Sequence, residues 1–510
     1  MNRREAIKTL CLGAAAAAAG TTAGPLGATA PAEEKTGPNS PRAYRHRIAF
    51  GAWINDLRNT ALPLQEWPAP QFDEKTVEGA IRTIEVIGES GYGYLDAFGL
   101  YATGGYPPDI SSAFSDRERN ERLDRIFRAA EKHGVRMSLP LGLMTWGYDR
   151  IIVEDPEVRG KDHEGKPHPS AMCGAKEKSW SYIEKIIDAM FARHDFGAVH
   201  LESADLGYCM CSECVGRYGV VGYNARLNAR AADYIKGKHR DALVYVCPIN
   251  WMPWGLDEKG RQPKVSDLPQ ILELSRHIDV FMDQGHRGRI LGPESIARLE
   301  CAYGTSGGLW VYHGARQDRL SYFLPYPMRA ARHLLAHYQE GARACLYYQG
   351  PMINPAVEVT SAVAGRILAR VDRDPRDALD EVIARYYQPE SADAARALAE
   401  VFLAAEEAYF GQWDERRFHE MHKLEMPGEF TLGVLFGTIP DPAAFLTEPF
   451  LDPRGRAACK AGLKKALAGL GALEGRLRDG GRLERMSRCL TVMLHLLTTV
   501  MLVKGEGWAE

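Results

Sequence analysis

Eight times between residues 48 and 371, a short apolar or β-branched run gives way to a stretch with apolar residues at i, i+3, i+4 and i+7. The first pattern carries the two-residue period of a strand, the second the period of an amphipathic helix. Strands are expected at 48–54, 94–98, 136–141, 198–202, 243–249, 278–282, 308–312 and 344–348. The first three helical faces are Val77, Ile81, Ile84 and Ile87; Leu123, Ile126, Phe127 and Ala130; and Ile183, Ile186, Ile187 and Met190. A fourth helix is expected near 224–236, and a fifth carries Leu268, Ile271, Leu272 and Leu274. The last three fall at 293–300, 328–338 and 361–371. Such a succession predicts a (β/α)8 TIM barrel over residues 45–372; a doubly wound open sheet is the competing arrangement.

Connection lengths favour the barrel and say which end is functional. Helix-to-strand turns look tight and glycine-marked, at Gly91-Tyr92-Gly93, Gly134, Gly197 and Gly307-Gly308. Strand-to-helix segments are long, at 55–73, 101–115, 146–177, 205–223, 251–264 and 350–360. In this architecture the elaborated face carries the site. Past Asp372 the strand pattern stops, and 379–387, 394–409, 457–477 and 483–503 read as helices. A helical C-terminal domain is therefore expected over residues 373–510.

The start of the chain reads as an address. Arg3-Arg4 precedes an alanine-rich run and Ala28-Thr29-Ala30, a small-x-small cleavage pattern. This predicts a twin-arginine signal peptide over residues 1–30 and a polar linker over 31–44, hence a periplasmic or secreted protein. The plainer alternative is an accidental Arg-Arg pair before a disordered tail. The apolar run is too short for a permanent membrane span. A net charge of −3 gives no reason to expect nucleic acid or an anionic membrane as partner. Nothing in the sequence sets an oligomeric state.

Chemistry concentrates around the fourth strand, in His200-Leu201-Glu202-Ser203-Ala204-Asp205 followed by Cys209-x-Cys211-x-x-Cys214. Alternation sends Val199 and Leu201 toward the helices and His200 and Glu202 into the barrel. A carboxylate at the inner rim is costly unless paired or used. Acid/base work on a glycosidic bond, with one carboxyl protonating the leaving oxygen, is one reason to keep it. A salt bridge to a neighbouring arginine is the other. Asp205 stands just past the strand, and Asp283, at the end of the sixth, is the best further carboxylate.

The three cysteines have ligand-like spacing, and Cys173 lies in the preceding rim loop. Four thiolates would make a closed structural zinc site; in an exported protein, a disulfide involving Cys173 and free thiols are the alternatives. No cofactor is expected to be required for catalysis. Cys247, Cys301, Cys345, Cys459 and Cys489 sit in apolar stretches and read as buried.

The other strand ends bring acids, amides and rings to the same rim. Candidate substrate contacts are Asp56, Asp96, Trp146, Asn250, Trp251, Trp254, His286, Tyr312, His313 and Tyr348. Such a set suits a polyhydroxylated ligand, with tryptophans stacking on sugar faces. The seventh strand ends in Tyr312-His313 and offers no acid, so an acid on strand four with a nucleophile on strand seven fits poorly. That leaves an inverting pair or substrate-assisted retention.

The acid at the end of strand four, Asp205 four residues before Cys209-x-Cys211-x-x-Cys214, and the earlier Cys173 resemble a bacterial group of (β/α)8 glycosidases. That group is related to hexosaminidases and α-glucuronidases and includes endo-β-N-acetylglucosaminidases. Residues 358–370 and Tyr386-Tyr387 are similar to its barrel end and first C-terminal helix. The resemblance covers roughly residues 45–410 and implies substrate-assisted chemistry on an N-acetyl sugar. Hexosaminidase relatives place Asp and Glu side by side on strand four, whereas Ser203-Ala204 separate Glu202 from Asp205 here. The expected function is a glycoside hydrolase acting on a complex glycan containing N-acetylhexosamine or uronate, with Glu202, Asp205 and Asp283 catalytic. A non-catalytic carbohydrate-binding protein on the same scaffold is the alternative. A metal-dependent hydrolase or isomerase using His286, His313 and Asp283 lacks a compact His motif.

Overall fold

Parallel strands buried on both faces favour near-continuous apolar sequence, and strands such as Leu243–Val246 and Ala344–Tyr348 supply it. The computed structural model describes residues 42–50, 73–96, 106–145, 147–204, 207–248, 251, 268–283, 291–308, 324–349, 352, 354–411 and 453–503. Its barrel strands are β1 (His46–Phe50), β2 (Tyr94–Asp96), β3 (Arg136–Gly142), β6 (Phe196–Glu202), β7 (Leu243–Val246), β8 (Val280–Asp283), β9 (Ala302–Gly308) and β10 (Ala344–Tyr348). They close in the order β1-β10-β9-β8-β7-β6-β3-β2, and β2 returns to β1. The pairs are parallel. The protein is thus a (β/α)8 TIM barrel followed by helices, and the open-sheet alternative is excluded.

Helical faces seat where the apolar spacing puts them. In the helix Glu177–Arg193, Ile183, Ile186, Ile187 and Met190 are all buried. In Arg117–Lys132 the buried face is Leu123, Ile126 and Ala130, and the Asp116 carboxylate caps the first turn by accepting from the Arg119 amide at 3.0 Å. The helix Pro355–Ala369 is buried almost all round. It packs against the barrel and against two later helices, Pro375–Tyr387 and Gly480–Val503; Ala392–Phe410 and Pro453–Gly471 complete the helical region. Its Glu358 carboxylate, 2% exposed, is gripped by Arg82 from a barrel helix and by Arg482 from the last helix, the latter at 2.9 and 3.1 Å. Among the described residues, no helix is long and apolar enough to cross a membrane.

Four expectations need correction. The seventh barrel strand is Ala302–Gly308, not 308–312, and residues 309–323 lie outside the described set. Its glycines hide it from a propensity reading, yet a Cβ at Gly304 would meet Met282 Sδ at 2.4 Å and Val280 Cγ1 at 3.0 Å. Packing therefore overrides poor strand propensity there. Gly197, Gly307 and Gly308 are strand residues rather than turns. The loop at 146–177 contains an antiparallel hairpin, β4 (Arg159–Lys161) with β5 (Pro167–Met172). The helix after β6 begins at Val215, well before 224, and is interrupted at Gly219, whose φ is +69°.

Candidate active site

Strand alternation at the end of β6 builds the centre of the site. His200 Nδ1 lies 2.6 Å from Asp96 Oδ2, and the Tyr245 hydroxyl donates to the same oxygen at 2.5 Å. Asp96 is on β2 and Tyr245 on β7, with β3 and β6 between them in the barrel wall, so these bonds cross the interior. The Ser138 hydroxyl, on β3, is 3.0 Å from Tyr245 OH. The Tyr245 ring stacks on His200 with centroids 5.0 Å apart, and Phe50 meets its edge. Two residues on, Glu202 Oε2 stands 4.0 Å from His200 Nε2. A buried polar chain, Ser138–Tyr245–Asp96–His200, thus ends beneath Glu202.

Exposure separates the carboxylates. Asp96 and Asp283 are fully buried, whereas the Glu202 side chain keeps 12% of its surface in solvent. Burial by itself would drive the His200 ring toward neutrality, but Cys247 and Asp96 outweigh it and hold its pKa well above the ordinary histidine value. Burial also pushes the Tyr245 hydroxyl and Cys247 thiol upward.

The remaining predicted residues distribute as follows. Asp283 ends β8 and accepts hydrogen bonds from the Leu291 amide at 2.9 Å and the Tyr303 hydroxyl at 3.0 Å. Asp96, expected as a substrate contact, is enclosed and holds His200. Trp251 and Tyr348 are buried, Tyr348 packing edge-on against Phe50 at 5.1 Å. A buried Trp251 is not an open stacking platform in this conformation. Asp205, Asp56, Trp146, Asn250, Trp254, His286, Tyr312 and His313 lie outside the described residues.

Sequence reasoning places His200 in the barrel but gives it no role, and passes over Tyr245 and Ser138. The signal is available in part: a histidine two residues before a rim carboxylate shares its face. Its partner on β2 requires the barrel's closure to find.

The cysteines converge. Cys173, Cys209, Cys211 and Cys214 bring their sulfurs within 4.8 Å of one another, the group of potential metal donors found among the described residues. Of the other cysteines expected to be buried, Cys247, Cys345, Cys459 and Cys489 are, while Cys301 is half-buried.

No family model matches the chain, and no curated protein matches it in sequence. In three dimensions it is similar to a GH138 enzyme targeting pectin rhamnogalacturonan II, with a TM-score of 0.54 and 12% identity over 91% of this chain and 58% of that one. The chain therefore spans less than two thirds of that protein's length. CpGH84B follows at a TM-score of 0.45 and 9% identity, over 90% of this chain and 69% of its own. An α-amylase of Geobacillus thermoleovorans, complexed with acarbose, gives 0.37 and 12%, over 64% and 79%. At these identities the GH138 likeness shows the shared barrel fold.

Proposed function

We propose that this chain is a glycoside hydrolase acting on a complex glycan, with Glu202 as its central catalytic carboxylate. The observation that carries the reading is Glu202 at the C-terminal end of β6, partly open to solvent and backed 4.0 Å away by the buried His200 ring that Asp96 holds. Barrel enzymes place their chemistry at that end. Glu202, expected from sequence as the proton donor, stands where a carboxylate can do acid/base work on a glycosidic bond. Asp205, three residues on in sequence, is the candidate for the complementary role. Asp283, held from two sides, assists by shaping the rim. The cysteine-motif resemblance supports an N-acetylhexosamine- or uronate-containing substrate, and the fold likeness to an enzyme of pectic glycan supports a complex one. Arg3-Arg4 and Ala28-Thr29-Ala30 support export to the periplasm or beyond.

The test is a panel of defined glycans, pectic and N-acetylhexosamine-containing, assayed for new reducing ends. Release from at least one class is expected. Glycan binding without release from any class would make this a carbohydrate-binding protein instead.

A further inference from the structure

We infer that Cys173, Cys209, Cys211 and Cys214 hold one zinc ion, which staples together the two rim loops that flank Glu202. Zinc bound by four thiolates at about 2.3 Å places its sulfurs about 3.8 Å apart at tetrahedral angles. Here Cys173 Sγ lies 3.9 Å from Cys211 Sγ and 3.7 Å from Cys214 Sγ. A disulfide would need about 2.05 Å. Three of the four residues are buried, with Cys209 at 0%, Cys214 at 1% and Cys173 at 4% exposure. Packing four sulfurs at metal-ligand spacing inside a polar loop crossing has little to recommend it for thiols alone.

The surroundings are those of a thiolate site. The Lys161 amide donates to Cys209 Sγ at 3.3 Å, and the Met210 amide returns a bond to Lys161 O at 2.8 Å. The Tyr223 hydroxyl bonds Cys214 and accepts from the Gly174 amide at 3.3 Å. Such outer bonds disperse the charge that four thiolates carry and fix their orientation. Gly160 leaves the room: a Cβ there would sit 3.1 Å from Cys209 Cβ and 2.9 Å from Ala171 O.

The placement gives the ion its task. Cys173 directly follows β5, the second strand of the hairpin after β3, and the other three lie in the loop after β6. Glu202 ends β6 and Cys209 is seven residues on, so the segment bearing Asp205 is anchored by a strand at one end and by metal at the other. Four protein ligands leave no position for a reacting water, so the ion is structural. The inference stands whether or not the chain proves to be a glycosidase.

The test uses the chain purified after expression with zinc. Atomic emission should find one zinc per chain, released when a mercurial titrates the thiols and detected by a chromogenic chelator. Cobalt replacement should give thiolate charge-transfer absorption in the near ultraviolet and intense tetrahedral bands in the visible. Cys211→Ser should lose the metal, Cys301→Ser should keep it, and Tyr223→Phe should weaken it by roughly tenfold. If Cys211→Ser does not fold, metal content and release in the parent chain still decide. Absence of stoichiometric metal, a disulfide joining any two of the four in peptide mapping, or full retention of metal by Cys211→Ser would overturn the inference.

Discussion

The His200 imidazole and the Asp96 carboxylate, 104 residues apart in sequence, meet at 2.6 Å inside the barrel. The fold raises the ring's pKa. The pair therefore stabilises fully below the unfolded value of about 6.5, and that contribution is lost as pH rises through the folded value. Asp96→Asn removes the anion. Nitrogen NMR of the ring should show an imidazolium at pH 8 in the parent and a neutral imidazole in the variant, with a stability loss of about 3–5 kcal/mol. A neutral His200 in the parent at pH 7 would refute this pairing.

Glu358 joins the barrel to the last helix through Arg82 and Arg482. Removing one side of a buried ion network leaves uncompensated charge. Glu358→Ala should cost about 3–5 kcal/mol in urea unfolding. Glu484→Gln, which breaks an exposed pair with Arg488, should stay within about 1 kcal/mol.

Much of this is legible in the sequence. Strand eight reads at its observed bounds, because an apolar run flanked by Gly341 and Gly350 marks itself. The face Ile183, Ile186, Ile187 and Met190 needs only helical spacing. Strand β9 escapes because three glycines replace its side chains, and the apolar Leu309-Trp310-Val311 beyond it draws the reading onward. The β4–β5 hairpin escapes because Pro167 and Pro169 argue against strand, and a short excursion outside the barrel tolerates them. At the site, Glu202 and the cysteines emerge from local spacing. Asp96–His200–Tyr245 does not, because no local pattern encodes which strands face one another across a closed barrel.

Glu406 offers a second pH signature. It caps the helix Pro327–Gln339 by accepting from the Met328 and Arg329 amides at 2.9 and 2.8 Å, and burial raises its pKa to about 7. The folded value exceeds the unfolded one, so the folded state binds the extra proton. Stability from this group is complete below about pH 4.5 and is lost as pH rises through about 7, by on the order of 3 kcal/mol. The difference in unfolding free energy between parent and Glu406→Gln should move with pH across that window and stay flat above it.

Gly308 ends β9 at φ +84°, and a Cβ there would stand 2.2 Å from Tyr348 O. Gly308→Ala combines left-handed strain with a backbone clash and should cost well over about 2 kcal/mol. Gly134, at φ +67° with nothing within 4 Å, meets only the strain. Gly134→Ala should cost about 1 kcal/mol. Comparable losses in thermal unfolding would mean that β9 shifts to accommodate the methyl.

Turnover by Glu202→Gln, measured with the glycan class that the parent cleaves, tests the central claim most directly. We predict kcat lower by at least about a hundredfold, with glycan affinity and thermal stability near those of the parent. A kcat within about tenfold of the parent, some 1.4 kcal/mol in barrier, would contradict the assignment of Glu202 as the catalytic carboxylate.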